Sequence, residues 1–266
     1  MKFILIQEKI LKAVILAGGL GTRLSEETAT MPKPMVEIGG KPILWHIMKL
    51  LSNHGLNDFI ICCGYKGYMI KEFFDNYHRH VDDFTINLAT GTKTTIKKSS
   101  ENWNVTLIDT GSETQTGGRI KRIKKHINNT FLMTYGDGLS NVDITALQKF
   151  HSNHKRKATV TAVQPPGRFG ALKIEETEVK SFLEKPAGDS SWINGGFFIL
   201  EPSTIDLIDG DATVWEEYPL RTLAQNSQLM AYKHKDFWRP MDTLRDKIVL
   251  EEMWQEDEAP WKTWVT

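Results

Sequence analysis

Cysteine is almost missing from this 266-residue chain: there are two, and they are neighbours, Cys62 and Cys63 in "FIICCG". Successive side chains of a strand point to opposite faces, so a bridge between them is strained and a shared metal is disfavoured. They read as small apolar core residues of a protein kept in a reducing compartment. An excess of either charge is missing too. Lys plus Arg and Asp plus Glu both number 33, a total that does not support a basic surface for nucleic acid. The basic cluster "RIKRIKK" (119–125) has Ile120 and Ile123 spaced through it and reads as one solvated helix or strand face. No apolar run approaches the ~20 residues of a membrane span. The opening "MKFILIQEKILK" is interrupted by Gln7, Glu8 and Lys9, with no small-residue cleavage site after it, so it falls short of a secretory signal. A cytoplasmic protein with no nucleic-acid and no membrane partner is expected. Internal repeats and low-complexity tracts are also absent.

What is present is ordinary globular material, 40% apolar and 25% charged, enough for a sizeable core. "AVILAG" (13–18) and "FIICCG" (59–64) are unbroken apolar runs ending in glycine, the pattern of parallel strands covered on both faces. Leu44, Ile47, Met48 and Leu51 between them, and Ile70, Phe73, Phe74 and Tyr77 after them, repeat at helical spacing. Strand–helix alternation implies βαβ units. Residues 78–102 are polar and read as an excursion holding two short strands. Further strands are expected in 103–111, 130–138 and 158–163, with a helix from an Asp143 cap through His154. After Pro165-Pro166 come short strands, then helical patterns near 203–209, 216–226 and 243–256. The reading is one mixed-sheet domain over 12–266, with its core at about 12–202 and a small C-terminal appendage at about 203–266. Residues 1–11 form an extension whose removal is expected to leave activity intact.

Ligands of open parallel sheets sit beyond the carboxyl ends of the strands. "GGLGTR" follows the first run there. It is neither a P-loop nor a complete G-x-G-x-x-G, since Leu24 stands where the third glycine belongs. Its glycines let backbone N–H groups approach a phosphate chain, and Arg23 adds a planar donor array. A tight turn with a surface arginine has the same sequence. Lys33 lies between two prolines that fix its backbone; an exposed loop charge reads alike. Asp137 in "YGDG" ends a strand, and Asp242 in "FWRPMDTLRD" stands at a helix start, where plain capping is the alternative. Mg²⁺ is commonly held by one or two such carboxylates together with substrate phosphates.

Taken in order, "LAGGLGTRL", "PKPM", "GGKPIL", "YGDG", "EKP", "INGGFF" and "PMD" resemble the sugar-phosphate nucleotidylyltransferases, from about Lys12 to the C-terminus. "LSEET" (24–28), "TGGRIKR" (116–122), "WINGGFF", "FWRPMDTLRDK" (237–247) and "APWKTW" (259–264) are similar to the cytidylyl branch. That branch joins CTP and α-D-glucose 1-phosphate into CDP-glucose and diphosphate, a supply for deoxysugars and surface polysaccharide such as O-antigen. The resemblance implies a three-layer αβα sandwich with a mixed, mostly parallel sheet, of nucleotide-diphospho-sugar transferase type, in a homo-oligomer. It implies that Leu16, Ala17, Gly18, Gly19, Leu20, Gly21, Thr22 and Arg23 wrap the nucleotide, with Thr114, Arg119 and Gly136 beside it. Lys33 contacts phosphate at the reacting centre, making Lys33, Arg23 and Asp137 the catalytic set. Asp137 and Asp242 are the implied Mg²⁺ ligands, and Lys185, Asn194 and Gly195 the holders of the sugar phosphate. Uridylyl or thymidylyl transfer to the same sugar phosphate, or a catalytically silent sugar-nucleotide binder, are the alternatives. A NAD-dependent dehydrogenase fails on the missing third glycine.

Overall fold

The structure is a computed structural model that describes residues 11–98, 101–165, 171–183 and 191–264, with Ser25, Glu26, 171–174, 182 and 183 described by backbone alone. Seven strands form the central sheet: β1 (Lys12–Ala17), β2 (Asp58–Cys63), β3 (Asn104–Asp109), β4 (Phe131–Tyr135), β5 (Ala158–Val163), β6 (Ile193–Leu200) and β7 (Leu229–His234). Their order is β7-β5-β6-β4-β1-β2-β3. β1 lies parallel between β2 and β4, with Ile15 opposite Ile61 and Val14 opposite Met133. Only β6 runs against the other six strands.

The apolar runs are unbroken because both faces are covered. Along β1, Ala13, Ile15 and Ala17 enter one core, while Val14 and Leu16 enter the other. Cys63 and Cys62 divide the same way. Both thiols are free, and burial pushes that of Cys63 up to about 11. The first core receives α1 (Ile43–Asn53), Ile70 of α2 (Gly67–Asp75), Ile144 and Leu147, and Leu250. The second receives Ile120 of α3 (Thr116–Arg122), the 3₁₀ segment Pro202–Leu207 through Ile205, and Leu223. α4 (Ile144–His154) starts on Asp143, whose carboxylate accepts from the Ala146 N–H at 2.9 Å. α5 (Tyr218–Gln225) carries Leu223, and α6 (Leu244–Gln255) opens with a Thr243–Asp246 capping box. Helix, sheet and helix thus form the three expected layers.

Three details differ from the sequence reading. The helical spacing that runs to Tyr77 breaks at Asn76, and Tyr77–Val81 is a separate turn. Part of the segment expected as an appendage joins the sheet, since β7 pairs in parallel with β5 on its edge. A short ladder of Gly138–Ser140 with Trp238–Pro240 was not expected at all. The excursion does hold two strands, Asp83–Ile86 and Lys93–Lys97, paired as a hairpin outside the main sheet. No helix among the described residues is long and apolar enough to cross a membrane.

The C-terminal tryptophans pack inward. Trp254, Trp261 and Trp264 surround His46 of α1, which is fully buried. His46 Nε2 bonds the Ile38 carbonyl at 2.8 Å, and its Nδ1 accepts from Trp261 Nε1 at 3.3 Å, so the ring is held neutral. Burial lowers its pKa from 6.5 to about 4. A histidine that resists protonation only when folded stabilises the fold fully above pH 6.5. That contribution is lost as pH falls from 6.5 towards 4 and, at ~1.4 kcal/mol per unit, amounts to about 3 kcal/mol. Melting temperature is therefore expected to fall between pH 7 and pH 5, and to fall less in His46→Gln; equal slopes in both proteins would contradict this.

Candidate active site

Beyond the carboxyl ends of β1 and β4 and the amino end of the antiparallel β6, loops enclose a pocket of about 550 Å³, a size suited to a nucleotide or sugar ligand. The glycine loop forms one wall. Gly21 has φ +67°, the left-handed turn that glycine permits, and its carbonyl accepts from the Leu24 N–H at 3.0 Å. Gly18 is constrained for a different reason. A Cβ there would sit 2.1 Å from the Arg119 guanidinium. Gly19 has no neighbour within 4 Å of that position and opens onto the pocket.

Arg119 departs from the solvated face expected of its basic cluster. Lys121, Arg122, Lys124 and Lys125 are exposed, whereas Arg119, Ile120 and Ile123 turn inward. The guanidinium of Arg119 donates to the carbonyls of Gly18 (2.9 Å), Gly111 (2.7 Å), Ser112 (3.3 Å) and Cys63 (3.3 Å), and to the Thr110 hydroxyl (2.8 Å). Burial pulls its pKa below the ordinary guanidinium value, yet such a group stays charged. It works as a strut that ties the loops after β1, β2 and β3 together, with its charge close beneath the glycine loop.

The carboxylates meet through the unexpected ladder. Pro240 pairs with Gly138, and the Met241 N–H donates to the Asp137 carbonyl at 2.8 Å, which sets Asp242 beside Asp137. Lys33 opens a 3₁₀ turn between Pro32 and Pro34 and is buried. Its Nζ donates to Asp137 Oδ2 and to Asp242 Oδ1, both at 2.7 Å. Arg23, whose side chain is 74% exposed, reaches Asp242 Oδ2 at 2.6 Å. Two cations and two carboxylates thus converge where β1 and β4 end.

On the other side of β4, Asn194 and Gly195 belong to β6. Gly196 turns at φ +81° and donates to Asn194 Oδ1 at 2.8 Å, while Trp238 Nε1 donates to the Gly195 carbonyl at 2.7 Å. Tyr135 and Glu216 complete this wall. Of the residues named from sequence, Leu16, Ala17, Gly18, Gly19, Gly21, Thr22, Arg23, Lys33, Thr114, Arg119, Gly136, Asp137, Asn194, Gly195 and Asp242 line the one pocket. Leu20 is exposed and does not line it. Lys185, with the rest of "EKP", lies outside the described residues. Tyr135 and Trp238 were within quoted motifs and passed over, whereas nothing around Glu216 in "VWEEY" signals a site.

A family model described as nucleotidyl transferase matches residues 12–243. The chain is 62% identical over 256 residues to glucose-1-phosphate cytidylyltransferase of Salmonella typhi, covering 96% of this chain and 100% of the relative. It is 43% identical, with the same coverage, to probable glucose-1-phosphate cytidylyltransferase of Bacillus subtilis. Among solved structures, HddC from Yersinia pseudotuberculosis superposes with a TM-score of 0.66 at 27% identity, over 92% of this chain and 99% of that one. With a glycine loop, a buried lysine and paired aspartates gathered at one end of a mixed sheet, and with those relatives along nearly its whole length, the chain belongs to the nucleotidyl transferase family.

Proposed function

We propose that this chain transfers a cytidylyl group from CTP to α-D-glucose 1-phosphate, giving CDP-glucose and diphosphate. The substrates follow from the relative that is 62% identical over nearly the full chain. The observation that carries the chemistry is the convergence of Lys33 on Asp137 and Asp242 beside the glycine loop. The sugar phosphate is already ionised at neutral pH, so the reaction needs alignment and charge stabilisation rather than a general base. An oxygen of glucose 1-phosphate attacks the α-phosphorus in line, and diphosphate leaves opposite. Backbone N–H groups of the Gly18–Gly21 loop donate to the triphosphate. The exposed Arg23 reaches its β and γ groups, and Lys33 stabilises the charge that builds on the α-phosphoryl oxygens.

Asp137 and Asp242 fit a divalent cation. They are hard oxygen donors drawn side by side, and together they already hold a cation, the Lys33 ammonium, at 2.7 Å from each. Mg²⁺ at this pair supplies neutralisation of phosphate oxygens. The reading also assigns the enzyme to the cytoplasm and to a homo-oligomer, whose mass light scattering gives. Base choice rests on one exocyclic group, a donor in cytosine and an acceptor in uracil, a difference that a hydrogen-bonding site resolves strongly. Diphosphate release with glucose 1-phosphate is expected to be fastest with CTP across a panel of CTP, UTP and dTTP. Faster release with UTP or dTTP would overturn the cytidylyl assignment.

A further inference from the structure

Three acidic side chains line the pocket among the described residues: Asp137, Asp242 and Glu216. The first two are matched by Lys33 and Arg23. Glu216 is different, because it forms no ion pair among the described residues. Its carboxylate is held by neutral hydroxyls, that of Thr116 at 2.6 Å and that of Tyr135. The Thr116 hydroxyl also accepts from the Trp215 N–H at 2.9 Å, so the segment that carries Glu216 is pinned to the start of α3.

A bare carboxylate in a pocket for phosphorylated substrates repels them wherever it meets phosphate. It is an acceptor only, with room for about four hydrogen bonds, and two of these are filled by Thr116 and Tyr135. Its remaining capacity suits neutral donors, such as sugar hydroxyls. Sheet order says which sugar. β4 separates β1, which bears the glycine loop, from β6, which bears Asn194 and Gly195. Tyr135 ends β4, and its hydroxyl lies 3.5 Å from Asn194 Nδ2. Through Tyr135, Glu216 joins the wall that carries Asn194, and through Thr116 it reaches the start of α3.

We infer that Glu216 is a sugar-binding residue whose carboxylate accepts hydrogen bonds from ring hydroxyls of the hexose and thereby selects the sugar phosphate. This rests on the activity proposed above. A hydrogen bond to a charged group corresponds to about a 10- to 100-fold change. Glu216→Ala and Glu216→Gln are expected to raise KM for glucose 1-phosphate by that factor and to leave KM for CTP within about twofold. Glu216→Gln retains a carbonyl oxygen for the two hydroxyls and serves if the alanine variant does not fold.

The 2-, 3-, 4- and 6-deoxyglucose 1-phosphates give the second arm. Wild type discriminates against at least one of them, and Glu216→Gln treats that analogue and glucose 1-phosphate within about threefold of each other. A penalty that falls on CTP, and vanishes with 2′-deoxy-CTP, would mean that the carboxylate holds ribose and would overturn the inference. So would variants with both KM values and the deoxy-sugar preferences of wild type. Wild-type protein inactive on CTP and glucose 1-phosphate would defeat the proposed function itself, a distinct result.

Discussion

Alanine at position 33 is expected to lower turnover of CTP and glucose 1-phosphate by at least ~10²–10³-fold, the usual effect of losing one preorganised electrostatic partner. Lys33 is 6% exposed and donates its ammonium to the two carboxylates of the proposed reaction centre. The sheet does not depend on it, so Lys33→Ala is expected to fold, and Asp137→Ala to behave alike. The same geometry predicts a gain as well as a loss. The ammonium stands where a divalent cation would bind, 2.7 Å from both Asp137 and Asp242. Its removal leaves the carboxylate pair with Arg23 as its nearest cation, so Mn²⁺ is expected to bind nucleotide-free Lys33→Ala more tightly than wild type. Steady-state kinetics and Mn²⁺ titration by electron paramagnetic resonance read the two effects separately. Wild-type turnover, or an unchanged Mn²⁺ affinity in a variant that folds, would contradict this account of the lysine.

The second large effect is expected at Arg119, and it falls on the scaffold. Arg119→Ala removes a donor from the carbonyls of Gly18, which keeps the Tyr65 N–H at 3.1 Å, of half-buried Gly111 and of exposed Ser112, and opens a void beneath the glycine loop. One acceptor left unpaired costs about 1–3 kcal/mol and the void adds to it, so a loss of about 3 kcal/mol is expected. For a chain of this size that is a fall of about 10 °C in melting temperature. CTP binding should weaken with it, because the loop amides lose their fixed aim. Lysine is a poor replacement, since a single ammonium cannot span acceptors on three loops. Differential scanning fluorimetry and CTP titration by tryptophan fluorescence give the two readings. A variant that melts within 2 °C of wild type and binds CTP equally would refute the strut. Gly18→Ala is expected to mimic it, as its new methyl group collides with the guanidinium.

How much of this was visible beforehand depends on where each residue's signal resides. β1 and β2 were legible because burial on both faces writes a continuous apolar run. The Asp143 cap and the fixed backbone at Lys33 were legible because capping and proline act within a few residues. β7 was not. "LMAYKH" lies at the sheet edge, mostly half-buried or exposed, and lacks a clear alternation. The 138–140 ladder pairs residues about 100 positions apart, and three-residue strands leave no periodicity to read. Yet that ladder sets Asp242 beside Asp137. Arg119 was named through the resemblance, but its burial was hidden by its neighbours, since four exposed cations around it make the cluster look uniformly solvated. Glu216 was invisible because its place depends wholly on contacts with Thr116 and Tyr135.

The central claim is that Asp137, Asp242 and Lys33 form the centre around which phosphoryl chemistry occurs. The most direct measurement is a crystal structure of the wild-type chain with Mn²⁺ and a non-hydrolysable CTP analogue, read by anomalous scattering. The account predicts one manganese peak coordinated by carboxylate oxygens of both Asp137 and Asp242, with the α-phosphate beside it and the Lys33 ammonium turned from the carboxylates towards that phosphate. A manganese site elsewhere, or an α-phosphate remote from Lys33, would contradict it.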